Sequence, residues 1–391
     1  MTETTGLRPV LSVGKASGGP RLSVLVGGTL TEQTRRDIEA NRAPRIDVFL
    51  MADGLGANIY DFGRLELAAR TERRASFAYR MARRTRQWSL WLAYYALPLV
   101  RHDDAVYATG EDVGFALAAL LRAYRARRPR VLVRLEEVNY GRTLARRTAF
   151  SLFAEYALHR VEKMLCRTTA HLHYLHSVRR QPMKKLAFLP QTCDLDFYNE
   201  TYVGNPPMAD AFSEKPYIVS AGLEMRDYPT LIEAVRDLPV NLLIAASSPW
   251  SHNQLGPELS STLPNVRVSS FSPVQMRELY RAAAFVVVPV RPSLRACGMN
   301  VALEAWAMRK GVIATRTAGL LDYIVDGHNG LLVEPYHVLS LRRAIVRLLN
   351  DPDEARRLGR NGRTSVERHF SLDEYVACVG RIVTSPPENS Q

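Results

Sequence analysis

Residues 284–335 constrain this chain more than any other stretch: AFVVVPVRPSLRACGMNVALEAWAMRKGVIATRTAGLLDYIVDGHNGLLVEP. An apolar run, Ala284–Pro289, precedes a loop containing Gly298, and a helix-patterned segment follows with Glu304 in its first turns. A second apolar run, Val312–Thr315, leads into Thr317, Ala318 and Gly319, and a third, Gly330–Val333, closes the unit. Strand, loop, helix and strand in that order predict the crossover unit of a parallel sheet. Its loop opens a helix at the carboxyl end of a strand, where unpaired backbone amides and the helix dipole suit an anion. Phosphate on those amides and ribose hydroxyls on Glu304 together make a nucleotide-diphosphate pocket.

A chain of 391 residues suits two domains, each with its own hydrophobic core. We read residues 1–20 as a disordered tail, 21–205 as a first Rossmann-like domain and 206–369 as a second. Residues 370–391 form a terminal helix and tail. The four cysteines, Cys166, Cys193, Cys297 and Cys378, are scattered without CxxC spacing, which predicts a reducing compartment and no structural zinc. The first twenty residues lack the apolar core of a signal peptide. Charge is unevenly placed. Residues 1–200 hold 32 Lys or Arg against 20 Asp or Glu, and the remainder holds 20 against 19. A basic half points to an anionic partner such as an acidic membrane surface, a phospholipid-linked acceptor or nucleic acid.

Strands are predicted at Arg21–Gly27, Ile46–Met51, Ala105–Ala108 and Val131–Leu135, with helical patterns near Leu30–Asn41 and Gly114–Tyr124. A longer helical pattern at Thr148–Leu165 precedes a strand-like Thr168–Leu175, and Asn199–Pro216 reads as a linker. Beyond it, strands at Tyr217–Ala221, Asn241–Ala246 and Val266–Ser269 alternate with helices at Tyr228–Arg236 and Pro273–Ala284. Two α/β, doubly wound parallel sheets follow from this alternation, with ligands beyond the strands' carboxyl ends.

Three segments, AGLEMRDYPTLIEAV (221–235), GMNVALEAWAMRKGVIAT and AGLLDYIVDGHNGLLV, resemble the donor-binding signature of retaining family 4 type (group 1) glycosyltransferases with the GT-B fold. The similarity runs over roughly 215 to 370. It implies two Rossmann-like domains facing a central cleft, with the last helix, Leu372–Val383, crossing back onto the first domain. It also implies transfer of a sugar from a nucleotide-diphosphate donor, with retention at the anomeric carbon and without a bound metal or other cofactor.

On that resemblance Glu304 holds the ribose; without it, a glutamate near a helix N-terminus is simply favoured by the dipole. Gly298 lets backbone approach phosphate, Met299 and Val301 follow it with their amides, and Asn300 caps the helix. Arg226, in the loop opened by Gly222, clamps the leaving diphosphate. Phe271 or its loop flanks the base. The family's first glutamate, eight residues before Glu304, is here Ala296, so sugar recognition differs or activity is altered. Arg295 then contacts sugar or phosphate, unless it is a solvated loop arginine. A second family cation is replaced by Leu223, next to Glu224. In the first domain Glu136, beside Glu137, occupies the end of the strand where the family often has a histidine, and would orient the acceptor or stabilise positive charge. Glu111 and Asp112 are weaker candidates.

His171, His173 and His176 invite a metal reading, with the first two on one face of a strand, but no ligand-spaced cysteine or carboxylate accompanies them. Inter-domain packing is the alternative. The segment Arg83–Arg101 sets arginines before Trp88, Trp91, Tyr94 and Tyr95; it either lies in a membrane interface or forms a core helix with basic flanks. The expected partners are therefore a nucleotide sugar and a glycan, lipid-linked or small-molecule acceptor, with an anionic inner membrane face as one setting for a cytoplasmic protein. No nucleic-acid-binding signature accompanies the charge. A non-catalytic nucleotide-sugar-binding subunit and a nucleotide-sugar epimerase on the same scaffold are the other readings.

Overall fold

The computed structural model describes residues 20–136, 152–201, 215–245 and 263–385. Twelve strands among them build two sheets. The first comprises β1 (Leu22–Leu25), β2 (Asn58–Tyr60), β3 (Ala105–Ala108), β4 (Arg130–Leu135), β5 (Lys163–Cys166) and β6 (Leu186–Phe188). The second comprises β7 (Tyr217–Ala221), β8 (Asn241–Ala245), β9 (Val266–Ser269), β10 (Val286–Val288), β11 (Val312–Thr315) and β12 (Leu331–Val333). Their orders are β2-β1-β3-β4-β5-β6 and β12-β11-β10-β7-β8-β9, and the pairings are parallel in both.

These strands are short apolar runs because helices cover both faces. Every residue of β1, β3 and β11 is buried, as expected when neither face meets water. Each sheet reverses its winding once. In the first, the chain leaves β1 for β2 on one side and returns to β3 on the other. In the second, it runs from β7 through β8 to β9 and comes back to β10 beside β7. The strands' carboxyl ends beside such a reversal are where ligands bind in doubly wound sheets.

Two predicted strands are helices. Residues Asp47–Leu55 form a helix that buries Val48, Phe49, Met51 and Ala52 and stops at Gly56, whose φ of 63° ends it in the left-handed region. The apolar cluster there has helical rather than alternating spacing, and the second strand lies further on, at β2. Likewise Thr169–Ser177 is a helix, because Thr168 caps it by accepting from the His171 amide at 3.0 Å. The strand of that region is β5, at the end of the stretch read as a long helix; part of that stretch (148–151) lies outside the described residues. The predicted linker lies mostly outside them too (202–214), as do both tails (1–19 and 386–391).

The chain crosses between the sheets twice, and the two crossings are bonded together. Cys193 donates its amide to the Phe370 carbonyl at 2.9 Å, and Leu372 returns a bond to the Cys193 carbonyl at 3.0 Å. The final helix, Leu372–Thr384, then buries Tyr375, Val379 and Val383 against Leu22, Val24, Val48 and Met51. Further ties join the two halves. Arg45 holds Asp194 through Nη2 (2.7 Å), Nε (2.9 Å) and its backbone amide (2.8 Å). Thr169 donates its amide to Asp322 at 2.7 Å, and Tyr323 donates its hydroxyl to the Arg167 carbonyl at 2.5 Å.

Candidate functional site

The loops after β7 and β10 flank the reversal of the second sheet, and they are zipped to each other. Asp227 donates its amide to the Pro289 carbonyl at 3.0 Å, and Arg291 donates to the Met225 carbonyl at 2.8 Å. Gly222 has φ 92°, and a Cβ there would lie 2.4 Å from Arg226 Nη2. Only glycine therefore lets the Arg226 side chain fold back across the loop. Once folded, Arg226 donates from Nε to the Ala221 carbonyl (2.7 Å) and from Nη1 to the Glu224 carbonyl (2.8 Å). It is 9% exposed.

Gly298 closes the other side. Its φ is 88°, and a Cβ would sit 2.5 Å from Val288 Cγ1 and 3.5 Å from Arg226 Nη1. The guanidinium thus lies between the two glycine loops. Helix Met299–Ala307 begins at Gly298 with no side-chain cap. Its first turn-to-turn bond is made by the Ala302 amide to the Gly298 carbonyl at 3.2 Å, so the Asn300 and Val301 amides precede the bonded ladder. Met299 and Val301 point into the core, which limits any ligand contact from them to backbone. The expected Asn300 cap is not made; at the helix's second position its side chain is exposed and accepts from Gln191 Nε2 of the crossing segment.

Glu304 lies on the second turn of this helix. Tyr280 donates its hydroxyl to Glu304 Oε2 at 2.9 Å, and Tyr198 of the first crossing donates to the same carboxyl. Burial raises its pKa to about 7; the two tyrosine bonds and the charge of Arg226 pull the other way without restoring the ordinary value. This is a carboxyl balanced between charge states at neutral pH, and an arriving pair of hydroxyls would favour its ionised form.

Arg295 is fixed by a third loop. A Cβ on Gly319 would lie 1.8 Å from the Arg295 carbonyl oxygen, and the Gly319 amide donates to the Ser293 carbonyl at 3.0 Å. From that position Arg295 Nη2 meets Glu224 Oε1 at 2.6 Å. Thr168 of the first half donates to the neighbouring Leu294 carbonyl at 2.6 Å, which brings this loop to the face between the halves. Phe271 is placed differently. It follows β9, separated from β7 by β8, and packs partly buried on the core of the second half.

In the first half Glu136 ends β4 and is gripped by Arg134 Nε at 2.7 Å and Arg167 Nη2 at 3.1 Å. Burial tends to raise its pKa, but the two guanidinium charges and their bonds more than offset that and hold it below the ordinary range. Its amide donates to Glu111 Oε2 at 2.9 Å, and Asp112 accepts from Ser89 Oγ at 2.5 Å. Arg134 also meets Asp47 at 2.9 Å. Glu137 lies outside the described residues. His171 and His173 share no strand face: they lie two apart on a helix, His171 buried and His173 exposed. Burial first, and then Arg295, lowers the His171 pKa to about 4. Among the described residues no group of three His, Cys, Asp or Glu is placed to hold a metal ion.

Sequence reasoning missed Tyr198, Tyr280, Arg134 and Arg167. None sits in a recognisable motif; Tyr198, Tyr280 and Arg167 come from other elements than the carboxylates they meet, and Arg134, on β4, stands two residues before Glu136. A concavity of about 430 Å³ lies at the crossing between Phe188 and Cys378 and contains none of the predicted site residues. The aromatic run of the first half forms a helix, Trp88–Val100, that buries Leu92, Ala93, Tyr95, Ala96, Leu97 and Val100. Trp88 packs on Phe62 and Tyr79, and Trp91 on Phe77 and Tyr94. Among the described residues no helix is long and apolar enough to cross a membrane.

Residues 222–351 match the family model described as glycosyl transferases group 1. A stretch of 167 residues is 30% identical to an uncharacterized glycosyltransferase of Methanocaldococcus jannaschii, covering 42% of this chain and 46% of that protein. Another of 183 residues is 28% identical to the lipopolysaccharide core biosynthesis glycosyltransferase LpsE of Rhizobium meliloti, covering 46% and 52%. The chain thus spans about half the length of these curated relatives. Solved structures are similar over nearly the whole chain. Sucrose-phosphate synthase from Thermosynechococcus elongatus matches with TM-score 0.62 and 17% identity, over 93% of this chain and 98% of that one. Anabaena HepE in complex with UDP-glucose matches with TM-score 0.66 and 12% identity, over 93% and 100%. The fold is GT-B.

Proposed function

We propose that this chain, with a group 1 glycosyltransferase region at residues 222–351 and a GT-B fold, transfers a sugar from a nucleotide-diphosphate donor to an acceptor, with retention at the anomeric carbon. The observation that carries the reading is the convergence of Arg226, the uncapped helix after Gly298 and Glu304 on the reversal point of the second sheet. A preorganised guanidinium and free amides offset the charge that develops on a departing diphosphate. Glu304 takes the ribose hydroxyls on the acceptor positions that the tyrosine bonds leave open. The base is flanked by Phe271 or by the loop after β9 that carries it.

In this reading the leaving phosphate takes the acceptor proton on the same face of the sugar, and no separate base or metal is needed. Glu136 is held ionised by Arg134 and Arg167 at the carboxyl end of β4. It is therefore suited to stabilise positive charge at the anomeric carbon or to orient the acceptor hydroxyl, rather than to give up a proton. Closure of the two halves around the donor limits hydrolysis by excluding water.

The acceptor belongs to the basic first half, and an anionic membrane face is its proposed setting. From Arg73 to His102 the chain carries seven arginines and no carboxylate. Helix Arg73–Thr85 turns Arg73, Phe77, Arg80, Arg83 and Arg84 outward, with Leu90 exposed on the helix that follows. These residues, rather than the packed Trp88 and Trp91, would meet headgroups.

The test of the donor reading is calorimetric titration with UDP-, GDP-, ADP- and TDP-glucose, paired with an assay of released nucleoside diphosphate. One donor should bind and Glu304→Ala should weaken it at least tenfold. Full affinity in that variant would remove the ribose role and with it this reading.

A further inference from the structure

We propose that Glu224 and Arg295 form the subsite that recognises the hydroxyls of the donor sugar, an inference that rests on the nucleotide-sugar reading above. The two side chains come from opposite sides of the sheet reversal. Glu224 belongs to the loop after β7 and Arg295 to the loop after β10, and they meet at 2.6 Å. An ion pair with side chains 24% and 56% exposed contributes little to stability. Both partners are nevertheless held in place through their backbones.

Glu224 is anchored through its carbonyl, which accepts from Arg226 Nη1 at 2.8 Å. Arg295 is anchored through its backbone: its amide donates to Ser293 Oγ at 2.9 Å, and Gly319 packs so closely on its carbonyl that no side chain fits there. The pair is therefore built onto the same guanidinium that lines the diphosphate site. It stands on the side that faces the first half, since Thr168 bonds to Leu294 at 2.6 Å and the charge of Arg295 is felt by buried His171. A sugar attached to the outer phosphate must lie between the phosphate site and the acceptor half, and that is where the pair stands.

Its chemistry suits a diol. A sugar hydroxyl both donates and accepts; a carboxylate accepts two such donors, and a guanidinium donates to the oxygens beside them. Within the same loop the next side chain, Ala296, offers no polar atom and packs against the core. At this point of the loop polar recognition therefore passes from position 296 to its neighbour Arg295 and, through it, to Glu224 of the facing loop. A site that hydrogen-bonds a substrate hydroxyl rejects the analogue lacking it far more strongly than an apolar wall does. The pair is thus a determinant of which sugar is taken.

The experiment compares two ligands on three proteins. Of UDP-, GDP-, ADP- and TDP-glucose, the tightest binder and its parent nucleoside diphosphate are titrated into wild type, Glu224→Gln and Arg295→Met. We expect the diphosphate to bind all three within threefold, while the sugar nucleotide loses at least tenfold in each variant and falls to the affinity of the diphosphate. Donors lacking single sugar hydroxyls should reproduce that loss in wild type and cause no further loss in Glu224→Gln, a readout that a misfolded variant would not give. Unchanged sugar-nucleotide affinity in both variants overturns the proposal, as does a parallel loss for the diphosphate, which would place the pair on phosphate. If wild type binds no nucleotide at all, the donor reading itself fails, and this inference with it.

Discussion

The Tyr280 hydroxyl lies 2.9 Å from Glu304 Oε2, and Tyr198 reaches the same carboxyl from the segment that links the two halves of the molecule. One carboxyl therefore touches a helix of the second half, the inter-domain crossing and the field of Arg226 at once.

The first consequence concerns stability. Burial moves Glu304 from an ordinary 4.5 to about 7, so the fold favours its protonated form. A raised acid contributes stability that is complete below the unfolded value and lost as pH climbs through the folded one. The loss between pH 4.5 and 8 amounts to roughly 3 kcal/mol at most. Glu304→Gln removes it. In ligand-free protein, Tm of the variant minus Tm of wild type should therefore grow from pH 5 to pH 8. A gap that does not change with pH would mean the carboxyl is not desolvated.

Donor affinity should follow the same carboxyl with the opposite sign. In the proposed function the ribose hydroxyls meet Glu304 and would bind its ionised form, so the dissociation constant should fall as pH rises through about 7. Tyr280→Phe removes a donor that favours the charge, and the midpoint should move to higher pH. A titration of donor affinity between pH 6 and 9 on both proteins reads this directly.

Gly222→Ala tests the proposed role of Arg226 in holding the diphosphate. At φ 92° a side chain is strained, and its Cβ would lie 2.4 Å from Arg226 Nη2. We expect about 1–3 kcal/mol of destabilisation together with at least a tenfold loss in nucleoside diphosphate affinity. Loss of stability with wild-type affinity would show that Arg226 is structural only.

Asp194→Asn probes the joint between the halves. Asp194 is 4% exposed and accepts three bonds from Arg45. Breaking one partner of a buried pair costs about 3–5 kcal/mol, less here because Arg45 keeps Asp373 and Asp196 nearby. Denaturant unfolding should show a loss of at least about 2 kcal/mol, and a smaller value would mark the joint as loosely held.

The basic helix is open to a vesicle assay. Replacing Arg80, Arg83 and Arg84 by Gln should reduce co-sedimentation with anionic phosphatidylglycerol vesicles by tenfold or more, at about 1 kcal/mol per charge. Donor affinity should not move. Equal sedimentation of variant and wild type would end the membrane proposal.

The sequence by itself determined the alternation of strands and helices, the crossover at 284–335 and the glycines at 222 and 298, because these are local properties of apolar spacing and backbone freedom. Its errors were local as well: Ile46–Met51 and Thr168–Leu175 read as strands until Gly56 and the Thr168 cap are seen to bound helices. Tertiary structure alone decided what the site residues do to one another. Tyr198 and Tyr280 are 106 and 24 residues from Glu304 in sequence, and Glu224 is 71 from Arg295; no short-range pattern predicts such meetings. They arise because a parallel sheet that reverses its winding brings loops distant in sequence to a single crevice, where burial and fixed charges set the chemistry of each group.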